Sequence, residues 1–208
     1  MALHLILPQF EAGSIVPPSH CPRRDCRGKM LRLHQQVVKP VRDSPDRSVV
    51  AYRYQCLTCG RTFRVYPHGV SNAHTSRRVQ HLAVLLYFLG LSYGAVAEVM
   101  DALKVYLSKS RVYEAVRSAS FNAPVARLPI LRNVNVPHRS NRRVVLECYN
   151  RKVLLELTHD PTDRLILTLH TASAEDARRC SELIQPLAEA LGIEMQVGNE
   201  LVRAIGVA

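Results

Sequence analysis

The chain has 208 residues, enough for one or two ordinary domains, and its 47% hydrophobic composition suffices for real cores. Its net charge of +11 is unevenly spread: residues 1–120 hold 17 Lys and Arg against 7 Asp and Glu, the remainder 11 against 10. No apolar run approaches a membrane span, and "LHLILP" is too short and lacks the basic flank of a signal segment, so a soluble, cytoplasmic protein is expected.

Residues 1–20 read as an N-terminal tail. Residues 21–70 then carry two cysteine pairs, Cys21 with Cys26 and Cys56 with Cys59. Two tight knuckles of this kind can bring four thiolates onto one tetrahedral ion, and soft sulfur ligands favour zinc over calcium or magnesium. In "CLTCGRTFRV" the glycine after Cys59 lets the backbone fold back, and Thr62 to Val65 leave as a strand. The first knuckle, "CPRRDC", has four intervening residues, which leaves His20 or His34 as a substitute ligand. Met30–Val38 and Ser48–Cys56 read as strands around the polar loop Pro40–Arg47, which makes a zinc ribbon. The competing interpretations are four unpaired thiols or two disulfides; without a secretory signal, a structural Zn2+ is expected. A closed four-cysteine site leaves no position for water, so this metal holds the fold and does no chemistry. Cys148 and Cys180 read as buried apolar residues.

Residues 74–120 are helical. Leu82, Leu85, Leu86 and Leu89 share one face, Gly90 ends that helix and Ser92 caps the next, in which Val96, Val99, Met100 and Leu103 repeat the spacing. After a short turn Ser108 caps a third helix, with Val112, Ala115, Val116 and Ala119 inward. Lys109, Ser110, Arg111, Tyr113, Glu114 and Arg117 face outward. This is a helix-turn-helix layout, in which the last helix enters the major groove of double-stranded DNA. Arg111 is the expected base reader, because arginine bonds guanine bidentately, with Lys109 and Arg117 on phosphates. Arg61, Arg64, Arg77 and Arg78 in the same basic half join Ser110 and Tyr113 as candidate DNA contacts. A plain three-helix bundle with solvated charges is the alternative.

Residues 121–140, broken by Pro124, Pro129 and Pro137, read as a linker. In residues 141–208, "RRVVLECY" and "KVLLELT" around Asn150 and Arg151 read as a hairpin, and "RLILTLH" is a third strand after the "DPTD" turn. A helix opening at Ser173 or Glu175, with Leu183, Ile184, Leu187 and Leu191 apolar, precedes the strand "IEMQV". Strand, strand, strand, helix, strand is the order of the first part of a ribonuclease-H-like domain. The expected class is therefore α+β: a zinc ribbon, a three-helix helix-turn-helix unit and a partial ribonuclease-H-like α/β domain.

The runs "CLTCGRTFRVYPHGV", "LLYFLGLSYGAVAEVMDAL" and "YLSKSRVYEAV" closely resemble the N-terminal part of bacterial insertion-sequence transposases of the zinc-ribbon, helix-turn-helix, ribonuclease-H-like type. The resemblance covers residues 21–120 and extends weakly through Leu165–Leu169, Ser173–Asp176 and Ile184–Gly192. It implies binding to transposon ends, and a catalytic domain that cuts and joins DNA with a metal-holding acidic triad. The first two acid positions that it implies fall near Arg142 and at Asn199, where neither residue can serve, and no third is expected in a truncated domain. Glu147 and Glu200 are the only acids in place to substitute, while Asp160 and Asp163 read as turn residues. No catalytic residue is assigned. A nucleoid-associated DNA-binding protein, catalytically silent and possible as a homodimer, is expected. An active or split strand transferase and a zinc-ribbon transcriptional regulator are the alternatives.

Overall fold

The computed structural model describes residues 1–11, 13, 15–119, 131, 135–140, 142–148 and 151–199. Among them the architecture is α+β, with four α-helices and two antiparallel sheets. The chain divides into two compact units, Phe10–Arg77 and, flanking it in sequence, Met1–Gln9 with Arg78–Ala208. No described helix is long and apolar enough to cross a membrane.

After a first strand, β1 (Ala2–Ile6), which belongs to the larger unit, the smaller unit is built on β2 (Leu31–Val41), β3 (Arg47–Cys56) and β4 (Thr62–Val65), paired in that order. The register of β2 on β3 shifts between Leu33 and Gln35, which leaves His34 as the extra residue of a bulge. Its apolar content is slight: Phe10, Val41, Val49 and Val70 form one small cluster, with Arg47 over the Phe10 ring, and the cysteines form another.

The larger unit opens with β1 (Ala2–Ile6), every residue of which is buried. The other strands of its sheet are β5 (Asn135–Ser140), β6 (Arg143–Cys148), β7 (Arg151–His159), β8 (Leu165–His170) and β9 (Glu194–Gly198). Within the stretch expected to be a tail, Ala2–Ile6 is thus a strand at the interior of a six-stranded sheet, ordered β5-β6-β7-β8-β1-β9. β8 and β9 each run antiparallel to β1, so they are parallel to one another on its two sides. Helix α4 (Ala174–Leu191) is the crossover that two parallel strands need. The order strand, strand, strand, helix, strand is present as β6 to β9. The sheet adds β1 and β5 to it, and β9 pairs with β1 instead of with that meander. β5 also lies inside the stretch taken for a linker; residues 121–130 of that stretch are outside the described residues.

Three helices precede the sheet's last five strands: α1 (Arg77–Phe88), α2 (Tyr93–Ala102) and α3 (Lys109–Ser118). Ser92 caps α2 by accepting from the Ala95 N–H at 3.2 Å, and Gly90 adopts a φ of 119° beyond the end of α1. Leu82, Leu85, Leu86, Leu89, Val96, Val99, Met100 and Leu103 are all fully buried, on the faces that the spacing predicts. They share one continuous core with Leu3, Leu5 and Leu7 of the first strand and its extension, with Leu165, Leu167 and Leu169, and with Ile184, Leu187 and Leu191 of α4. The helices and the sheet therefore fold together, where the sequence suggests separate 74–120 and 141–208 domains. Leu183 is exposed, because the inward stripe of α4 runs through Ala177, Ile184, Leu187 and Leu191. Cys180 is only half buried against that core, and the side chain of Cys148 lies outside the described residues.

Candidate metal centre and basic helix

Cys21 and Cys26 flank a tight loop in which the Cys26 N–H donates to the Arg23 carbonyl at 3.0 Å and the Cys21 N–H to the Gly28 carbonyl at 2.9 Å. Cys56 ends β3, and Cys59 lies in the turn before β4. Gly60 donates its N–H to the Cys56 carbonyl at 2.8 Å with a φ of 70°, the left-handed conformation that a side chain would strain. Gly28 is required for a different reason: a Cβ there would run into the Thr58 side chain, so the two knuckles meet through its bare backbone.

These loops place the four sulfurs within 4.8 Å of one another, with Cys26 Sγ 3.8 Å from Cys56 Sγ and Cys21 Sγ 4.0 Å from Cys59 Sγ. At a metal–sulfur bond of about 2.3 Å, the sulfurs of a tetrahedral site stand about 3.8 Å apart, so the two closest pairs already have the spacing of a four-thiolate ion and the cluster as a whole fits one after a small contraction. All four thiols are free, and disulfides are excluded among them as placed. Backbone N–H groups of Cys59 and, more weakly, Thr58 outweigh burial and pull the Cys56 thiol down to about 6. At Cys26 the Gly28 N–H pulls in the same direction, but burial and the neighbouring thiols prevail and push it up to about 11. One negative charge is welcome in the cluster and further ones repel; a bound divalent cation removes that conflict. His20 bonds Ser19 at the surface and His34 sits exposed on β2, so neither joins the cluster.

Helix α3 is attached differently from α1 and α2. Val112 is its one fully buried residue, Ala115, Val116 and Ala119 are half buried, and Lys109, Ser110, Arg111, Tyr113 and Arg117 are exposed. The helix therefore presents most of its circumference to solvent. Tyr113 meets Tyr93 of α2 edge to face at 5.5 Å, and Tyr93 in turn stacks on Tyr87 of α1 at 4.6 Å, which fixes the aromatic edge of this surface. Arg111 pairs with Glu114 at 2.6 Å, both exposed, an ion pair weak enough to give way to a better partner.

The remaining basic candidates separate sharply. Arg64 on β4 and Arg77 at the start of α1 are exposed, and Arg61 is exposed while paired with Asp25 at 2.8 Å. Arg78 is only 1% accessible and donates to the Asp163 carbonyl at 2.6 Å, so it cannot contact DNA and is removed from that set. Its burial follows from the helical period, since position 78 falls on the side of Leu82 and Leu85.

The positions implied for catalytic acids hold no acid cluster among the described residues. Arg142 lies in a left-handed turn with its guanidinium 3.0 Å from His159 Nδ1, and Asn199 is exposed. Glu200 and the side chain of Glu147 are outside the described residues. Asp160 accepts from Thr162 and Arg164, the latter at 2.6 Å; burial would raise its carboxyl, but these bonds hold it below its ordinary value. It is a turn residue, as its spacing predicts. No protein-family model, curated protein or solved structure matches the chain.

Proposed function

We propose that this chain is a zinc-stapled DNA-binding protein related to insertion-sequence transposases, in which α2 and α3 act as a helix-turn-helix on duplex DNA. The observation that carries this is the solvated basic face of α3, anchored by Val112 and bearing Lys109, Arg111 and Arg117. A helix held by one side and basic on the other is what a major groove accepts. The four-thiolate cluster supports zinc as the resident ion with a purely structural role, since all four positions are taken by protein sulfur. Strand transfer is not part of the proposal, because the Arg142 guanidinium would repel a catalytic cation. A DNA-bound protein of this type would reside with the nucleoid.

The test is titration of the full chain into labelled duplex DNA across a salt series. Affinity should fall steeply with salt, and replacing Lys109, Arg111 and Arg117 together by Gln should flatten that dependence. Arg111→Ala alone should cost about 1–3 kcal/mol at a preferred site. If the triple variant binds with the wild-type affinity and salt dependence, α3 is not the reading helix and the proposal fails.

A further inference from the structure

Arg53 of β3 lies directly opposite Arg64 of β4, and like charges facing each other across two strands destabilise a sheet. The two line an open cleft of about 560 Å³ with Arg23 of the first knuckle, Tyr66 and Asn72. Among the described residues none of the three arginines has a carboxylate partner; Arg53 has only a long 3.4 Å bond to the amide oxygen of Gln35.

Hydrogen bonds brace the Tyr66 and Asn72 side of the cleft. Lys39, 8% accessible, donates its ammonium to the carbonyls of Ser71 and Ala73, the two neighbours of Asn72, and lies 4.7 Å from the centre of the Tyr66 ring. Asn72 Oδ1 accepts from the Tyr66 hydroxyl at 3.1 Å, which leaves its amide N–H₂ as a donor. Burial and then the Arg64 charge lower the Lys39 pKa. The residues lining the cleft include three arginines and no acid, so its charge is unbalanced and positive.

We infer that this cleft is a second DNA contact, holding a backbone phosphodiester between the guanidiniums of Arg23, Arg53 and Arg64 with Asn72 as a neutral donor. An anion placed there turns a repulsive cluster into charge-assisted hydrogen bonds, and guanidinium forks match phosphate geometry. Three guanidiniums around one open cleft suit a polyanion, whose successive phosphates can meet more than one of them. The inference rests on the DNA-binding reading above, but on residues outside α3.

The experiment uses the full chain, a random-sequence duplex and a salt series, with metal content checked for each variant. Arg23→Gln and Arg53→Gln should each reduce the slope of log affinity against log salt by about 0.9, the share of one phosphate. Arg53→Lys should keep the wild-type slope, and Arg179→Gln on α4, which removes the same charge outside the cleft, should leave it unchanged. Wild-type slopes in both cleft variants, or an equal fall in Arg179→Gln, would overturn the cleft while leaving α3 standing. A wild-type chain that binds no duplex at all overturns both.

Discussion

The two units hold themselves together by different means. The unit of residues 78 onward, with β1, buries a continuous apolar core from four helices and a six-stranded sheet; the unit of residues 10–77 has a four-residue apolar cluster and four converging thiols. A sheet of three strands with so little apolar burial falls below what a domain needs by itself, and small domains of this kind rely on a metal or disulfides. Apolar area holds the first unit; in the second, ligand bonds to the proposed zinc would take that part, and each unit should then fail under its own perturbation.

The largest effect is expected at the proposed metal site. Cys56→Ser, or chelation, should abolish the order of residues 10–77, because the binding free energy of a structural zinc, on the order of 10 kcal/mol, would be folding free energy there. All four described helices begin at or after Arg77, so the helical circular-dichroism signal should survive while hydrogen exchange of β2–β4 becomes fast. Protected β2–β4 amides in metal-free protein would collapse the contrast between the units.

Leu85→Ala should do the reverse. It empties a fully buried position of the shared core and should cost about 2–5 kcal/mol, seen as earlier loss of the helical signal with metal content unchanged. Because that core joins helices to sheet, the 1–120 fragment should not hold its helices either.

Arg78→Ala and Arg77→Ala separate a structural arginine from an exposed one at adjacent positions. The first removes the hydrogen bond from Arg78 to the Asp163 carbonyl and should cost about 1–3 kcal/mol of stability with an unchanged DNA salt slope. Arg77→Ala should leave stability alone and reduce that slope by about 1. Equal slopes in the two variants would remove Arg77 from the DNA surface.

The smallest effect belongs to His4. Its ring lies 3.0 Å from the Thr168 hydroxyl, and burial first, then the His170 charge, lower its pKa. The folded state therefore prefers neutral His4, so its contribution is present above the unfolded value of about 6.5 and is lost as pH falls below it. Thermal unfolding of the sheet unit should become easier from pH 7.5 to 5.5, and less so in His4→Gln; an identical pH dependence in the variant would exclude His4 as the source.

What the amino-acid sequence determined by itself was local. Cysteine spacing, the Ser92 cap, the leucine faces of α1 and α2 and the exposed side of α3 all arise within a few residues, where backbone geometry and helical period decide the outcome. Gly28 was legible in principle, as a glycine close behind a knuckle cysteine. Only the tertiary structure decided that Ala2–Ile6 is an interior strand, since its partners lie more than 150 residues away and "LHLILP" carries no alternation to announce a strand buried on both faces. The Arg78–Asp163 contact likewise depends on a packing partner distant in sequence, and the facing pair Arg53 and Arg64 on the register between two neighbouring strands; composition and periodicity encode neither.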